Sequence, residues 1–188
     1  MSKKATAQFW DTAHRYLGHQ LKVIRQVSSH TIDSYRDCLN SFIDYLERVE
    51  NISRKKISFH NFGKETIKRY QTWMITEQGL APKTCNLRLT AIRSFLEYAA
   101  QEYVWLMPVY TDACTIAGVK TPNHAIEYFE PDEMTALLAA PSGTSRTDRR
   151  NQMMLIFLYD TAARVAEARQ VKVSDLHLDA GVPYVTLL

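Results

Sequence analysis

Apolar residues recur every three or four positions along most of the first 105 residues, the spacing of one buried face of an α-helix. A weak helical pattern covers residues 6–27, a clear one residues 28–50, and a third residues 64–78. In the clear pattern the apolar side chains at this spacing are Ile32, Tyr35, Leu39, Phe42, Ile43 and Leu46. The first part of the chain is therefore predicted to be a small helical bundle.

A fourth helix is predicted after Gly79, which can end the preceding helix, with Pro82 in its first turn. Its predicted core stripe consists of Leu87, Ile92, Phe95, Leu96 and Ala99. The polar residues of this helix that lie largely outside that stripe are candidate DNA contacts: Lys83, Thr84, Asn86, Arg88 and Arg93. Arg36, on the polar face of the second helix, is a further candidate. The alternative interpretation is a solvated helix face with stabilising charges.

The sustained helical spacing ends near residue 105, and Pro108, Gly118 and Pro122 follow. We predict three regions: a helical domain over residues 1–105, a linker over 106–127, and a second domain over 128–188. The second domain is predicted to contain a helix beginning at Pro131, a buried helix over 149–161, a short further helix and a strand within 182–188.

Charge is divided unevenly between the two parts of the chain. Residues 1–110 hold 16 Lys and Arg against 10 Asp and Glu, a net +6, whereas residues 111–188 hold 7 against 10, a net −3. A basic helical part joined to a mildly acidic one fits a phosphate-binding module. The chain has no apolar run long enough to span a membrane and no secretory signal pattern, so we expect a soluble, cytoplasmic protein.

Cysteine and histidine give no metal-site pattern. The three cysteines, Cys38, Cys85 and Cys114, have no CxxC spacing, and the six histidines are scattered. We therefore expect buried free thiols and no metal or other cofactor.

The order of these parts resembles the tyrosine recombinase (phage integrase) family. The family pattern T-x-x-x-Y-x-x-x-L-x-x-F-x-x-Y-L is matched from Thr31 to Leu46, and G-L-x-P-x-T-x-N-x-x-L-x-x-I-R-x-F from Gly79 to Phe95. The family's T-G-x-R-x-S-E-L is matched in part by residues 161–168, TAARVAEA. The resemblance implies a mainly α fold, in which a SAM-like core-binding bundle precedes the helical start of an α+β catalytic domain.

The resemblance gives Arg164 a role, because the arginine of that motif contacts the scissile phosphate in this family. A guanidinium is always charged and can hold two phosphate oxygens at once, so it suits a pentacoordinate transition state. Taken alone, Arg164 and Glu167 could equally form a surface pair at i, i+3. Two residues depart from the motif: Ala162 stands where glycine is usual, and Ala166 where serine is usual.

The resemblance implies a site-specific DNA recombinase or integrase that cleaves through a 3′-phosphotyrosine, with double-stranded DNA and further recombinase protomers as partners and no membrane. None of the ten tyrosines occupies the nucleophile's position, so we expect this chain to be truncated, to bind DNA and not to cleave it. Two alternatives remain: a non-enzymatic DNA-binding regulator derived from a recombinase, and a helical protein-interaction module.

Overall fold

The computed structural model describes residues 3–122 and 128–187, which form two compact units, one in each range. The mainly α fold predicted from the sequence is confirmed. Residues 123–127 of the predicted linker and the final residue of the predicted strand lie outside the described residues. The domain limits at 105 and 128 stay a prediction.

The first unit contains five α-helices among its described residues. These are α1 (Lys3–Arg15), α2 (Ser29–Arg48), α3 (Lys64–Thr76), α4 (Pro82–Glu102) and α5 (Met107–Cys114). A π-helical segment, Tyr16–Ile24, directly continues α1, and short 3₁₀ turns occupy Arg54–Lys56, Phe59–Phe62 and Val104–Leu106.

Local sequence signals explain where the central helices begin and end. The Ser28 hydroxyl caps α2 by accepting the Thr31 N–H at 3.2 Å. Gly79 follows α3 with φ +58°, and the Leu80 N–H returns to the Met74 carbonyl at 3.0 Å. Pro82 occupies the first turn of α4, as predicted. Backbone N–H groups in the first turn have no acceptor within the helix, so the lack of an N–H in proline costs no hydrogen bond there.

Aromatic side chains fill the centre of the first unit. Phe95 of α4 is fully buried, and its ring lies 5.8 Å from that of Phe9, 5.5 Å from that of Tyr16 and 6.0 Å from that of Phe62. These contacts tie α1, α4 and the turn before α3 into one core. The bundle therefore presents the outer face of α4 on a rigid support.

One sequence prediction about the first unit is corrected. Leu87 was placed in the core stripe of α4 but is 52% exposed, whereas Cys85 and Leu89 are buried there instead. The reason is the helical repeat: Leu89 is four residues from Cys85 and three from Ile92, while Leu87 falls on the opposite face. Within the predicted linker, the residues of α5 form a helix whose Ala113 is buried in the core.

The second unit contains α6 (Pro131–Ala139), α7 (Arg146–Thr161), α8 (Val165–Ala168) and a 3₁₀ turn, Val173–Asp175. Strands β1 (Leu176–His177) and β2 (Tyr184–Val185) pair antiparallel, with Leu176 opposite Val185. The predicted helix at Pro131 and a strand within 182–187 are both present.

The prediction that residues 149–161 form a buried helix is wrong in one respect. They lie within α7, but none of its residues is buried, and Met153 and Tyr159 are 64% and 57% exposed. The described neighbours of α7 are two helices of at most nine residues, a turn and two short strands, which are too few to surround it. In neither described range is a helix long and apolar enough to cross a membrane.

Candidate nucleic-acid interface

The first turn of α4 presents Lys83 and Thr84 to solvent. Lys83 is exposed, Thr84 is half-buried, and Lys83 has no ion-pair partner among the described residues. The residue before the helix, Ala81, has no side chain that could cap the first-turn amides. A positive side chain beside a helix N-terminus is a suitable environment for a phosphate.

Arg88 lies one turn further along α4, half-buried in the seam between α2 and α4. Its guanidinium is close enough to the Cys38 thiol and the Tyr70 hydroxyl to oppose the rise that burial causes in the pKa of each. Among the described residues no carboxylate lies within 4.0 Å of it. An arginine fixed by packing without a carboxylate partner keeps its charge for an external anion.

Tyr70 supports Arg88 without neutralising it. Burial raises the pKa of the Tyr70 hydroxyl, so this group stays protonated at neutral pH, and it donates to the Ser41 hydroxyl at 2.8 Å. The Tyr70 hydroxyl beside Arg88 is therefore uncharged and does not offset the charge of the guanidinium.

Arg36 is on a different face of the first unit. It pairs with Asp33 and lines a groove of about 490 Å³ between α1 and α2, together with Trp10 and Leu17. Cys38, which faces Arg88, is two residues away on the same helix and so points to the opposite side. The structure does not bring Arg36 together with the cations of α4.

Asn86 and Arg93 make contacts within the first unit that sequence reasoning missed. Arg93 donates to the carbonyls of Ala113 and Ile116, the former at 3.1 Å. The Asn86 side chain donates to the Val119 carbonyl at 2.8 Å and accepts the Val119 N–H at 2.7 Å. Their partners lie 20 to 33 residues later, at the end of α5 and in the segment that follows it, so no local sequence signal could have revealed them.

Arg164 stands at the start of α8, two residues after a left-handed turn. Ala162 has φ +52°, so it adopts the conformation that a glycine usually occupies, and α7 ends there. The Glu167 carboxylate accepts the Arg164 backbone N–H at 2.7 Å and its Nη1 at 2.8 Å. The predicted surface pair is thus present, and the Arg164 side chain is still 85% exposed, with no partner for Nε or Nη2 in the described part of the chain.

Metal ligands are not gathered anywhere in the described ranges: no group of three His, Cys, Asp or Glu side chains there could hold an ion. The three cysteines are free. Cys38 and Cys85 are buried, as expected, whereas Cys114, the last residue of α5, is exposed.

Comparison with known proteins gives consistent matches. Residues 14–103 match the family model described as "Phage integrase, N-terminal SAM-like domain". The chain is 34% identical over 166 residues to the tyrosine recombinase XerD of Halalkalibacterium halodurans, covering 87% of this chain and 52% of that protein. It is 30% identical over 157 residues to the putative integrase/recombinase y4rC of Sinorhizobium fredii, covering 84% of this chain and 47% of that protein.

The chain belongs to the tyrosine recombinase (phage integrase) family. It spans about half the length of the curated relatives that it matches. A solved structure, titled "Crystal structure of XerA recombinase", is similar with 20% identity over 90% of this chain and 52% of that chain, but its TM-score of 0.37 is too low to support a structural argument.

Within this recombinase-family chain, the matched SAM-like segment runs from the end of α1 to the residue after α4. It contains all six predicted DNA-binding residues, of which Lys83, Thr84, Asn86 and Arg88 lie on the N-terminal half of α4. Arg164 lies outside that segment, in the second unit.

Proposed function

We propose that this chain acts in site-specific DNA recombination and that its helical unit binds duplex DNA through the N-terminal half of α4. The observation that carries this proposal is the half-buried, unpaired guanidinium of Arg88, one turn after the exposed Lys83. Arg36 and Arg69, by contrast, each have a carboxylate partner. Phosphate oxygens supply the anion that Arg88 lacks.

The three groups divide the binding between them. Lys83 and the first-turn amides beside Thr84 hold one backbone phosphate, and Arg88 holds a second. Each phosphate neutralised contributes about −0.9 to the slope of log affinity against log salt. Two such contacts give measurable but weak, salt-sensitive binding.

Arg164 is proposed to hold the scissile phosphate. Its Nε and Nη2 edge is available, and the left-handed turn at Ala162 leaves its side chain exposed in solvent. In the whole protein a tyrosine would attack that phosphate, forming a 3′-phosphotyrosine and releasing a 5′-hydroxyl. Arg164→Lys keeps the charge but loses the planar fork, so cleavage by the whole protein should fall by orders of magnitude with duplex affinity nearly kept.

The partners follow from the same proposal. Strand exchange joins two DNA sites, so further recombinase protomers on the same DNA are the expected protein partners. We propose that such a protein is encoded by a mobile element. Its proposed substrate is DNA in the cytoplasm. The residues proposed here to bind DNA and phosphate require no metal or cofactor for that purpose.

Lysine footprinting tests the DNA-binding face directly. The 188-residue chain is acetylated briefly with and without a mixed-sequence duplex, and modification is quantified by mass spectrometry. Protection of Lys83 is expected, whereas Lys55 and Lys56, exposed in the turn beside Trp10, serve as the matched control. Equal modification of Lys83 with and without DNA would contradict the proposed face.

A further inference from the structure

The segment that follows α5 is held by side chains instead of by a helix or strand. Residues 117–122 have no regular secondary structure, so their backbone groups need other hydrogen-bond partners. Gln71 of α3 and Asn86 of α4 supply two of these partners, and Arg93 of α4 holds the residues just before the segment. Gln71 donates to the Ala117 carbonyl at 2.9 Å, Asn86 binds Val119, and Arg93 binds the carbonyls of Ala113 in α5 and of Ile116 in the turn after it.

The contact between Asn86 and Val119 is the most specific of the three. The side-chain amide uses both its donor and its acceptor on the backbone of one residue, Val119, at 2.8 and 2.7 Å, as a neighbouring antiparallel strand would. Gly118 permits this approach, because a Cβ atom there would lie 3.0 Å from Asn86 Oδ1. Ile116, buried beside this segment, adds an apolar anchor.

We propose that Asn86, Arg93 and Gln71 form a clamp that fixes where the chain leaves the helical unit, beside the N-terminal half of α4. The clamp is defined by these three side chains and the backbone of residues 113–119. Asn86 and Arg93 are then positioning residues of the connection and do not contact DNA. This inference rests on the proposed function, since the segment that they hold runs past the proposed DNA-binding residues.

The chemistry of the two side chains supports this assignment. Both hydrogen-bonding groups of Asn86 are occupied by Val119, and two nitrogens of Arg93 are occupied by carbonyls of α5 and its following turn. A phosphate contact by either residue would break bonds that hold this segment. Lys83 and Arg88, by contrast, have no carboxylate partner to lose.

Trypsin provides a reporter inside the chain, because Lys120 is exposed one residue after Val119. We expect Asn86→Ala to accelerate cleavage after Lys120 at least tenfold in the 188-residue chain without DNA, measured by mass spectrometry. Lys83→Ala is the matched control on the same helix and should leave that cleavage rate unchanged. Hydrogen exchange at the Leu96 amide shows whether the core has stayed folded.

A second variant keeps the test independent of folding. In Gly118→Ala the added Cβ meets only Asn86, so this variant should also accelerate cleavage after Lys120. In the Asn86→Ala background the same change should add little, because both changes break the same contact. Fully additive effects, or an unchanged cleavage rate in both single variants, would overturn the clamp.

DNA binding separates this inference from the proposed function. Asn86→Ala should leave the salt slope of duplex binding unchanged, because no phosphate contact is lost. A slope smaller in magnitude by about 0.9 would show that Asn86 contacts a phosphate and would overturn the positioning role. Failure of all variants and wild type to bind duplex would contradict the proposed function, while the cleavage measurements would still decide the clamp.

Discussion

The Glu167 carboxylate holds Arg164 twice, once through the backbone N–H at 2.7 Å and once through Nη1 at 2.8 Å. These two hydrogen bonds hold the pKa of Glu167 below its ordinary value of 4.5, and the bond from the backbone N–H has the larger effect. A lowered carboxyl pKa stabilises the folded first turn of α8 above pH 4.5, and that stabilisation is lost as the pH falls through the folded value.

Arg164→Ala should therefore raise the pKa of Glu167 only part of the way towards 4.5, because the backbone bond remains. The measurement is an NMR titration of the Glu167 carboxyl carbon in both chains. An unchanged pKa would show that the ion pair does not form in solution.

Ala162→Gly should stabilise the end of α7 by about 0.5–1 kcal/mol, because alanine is strained at φ +52° and glycine is not. Hydrogen exchange of amides in the last turn of α7 measures this local stability. Ala163→Gly is the matched control, since Ala163 lacks a positive φ, and it should give no gain. Faster exchange in Ala162→Gly would contradict the left-handed turn.

Glu50 links stability of the first unit to pH. Two hydrogen bonds from Arg69 and one from the Tyr45 hydroxyl hold the pKa of its carboxyl below 4.5. The stability that this carboxylate contributes is therefore fully present above pH 4.5 and is lost as the pH falls through the lowered pKa of Glu50. Arg69→Met should make this loss of stability less steep and should cost at most about 1 kcal/mol of unfolding free energy at pH 7. Urea unfolding followed by tryptophan fluorescence measures both effects. An equally steep acid loss in the variant would rule out this pair.

Phe95 and Leu87 provide a matched test of which face of α4 is buried. Phe95→Ala should cost about 3–5 kcal/mol of unfolding free energy, because the ring is fully buried. Leu87→Ala should cost no more than about 0.5 kcal/mol, because that side chain is half exposed. Urea unfolding measures both, and comparable losses would show that Leu87 packs in the core.

The helices of the first unit could be predicted because their apolar spacing and end signals are local. Ser28, Gly79 and Pro82 mark ends that need only neighbouring residues to form. The burial of α4 was predicted less well, since two apolar residues in one turn, Leu87 and Leu89, compete for the inner face. Only the packed neighbours of the helix decide between them.

The candidate site could be predicted only in part for a related reason. A cationic helix face is visible in sequence, but whether each cation has a partner depends on distant residues. Arg93 and Asn86 bind backbone groups at the end of α5 and in the segment after it, whereas Arg88 has no carboxylate partner among the described residues. The helix α5 was missed because eight residues beginning with Met107 and Pro108 are too few to show a period.

The most direct test of the central claim is the salt dependence of duplex binding by two double variants of the 188-residue chain. Lys83→Ala with Arg88→Ala removes two cations from α4, and Lys55→Ala with Lys56→Ala removes two from the control turn. Fluorescence anisotropy with one mixed-sequence duplex at several salt concentrations gives each slope. We predict that the α4 variant loses about 1.8 from the magnitude of the slope and the control loses none. Equal slopes for the two variants would contradict the assignment of DNA binding to α4.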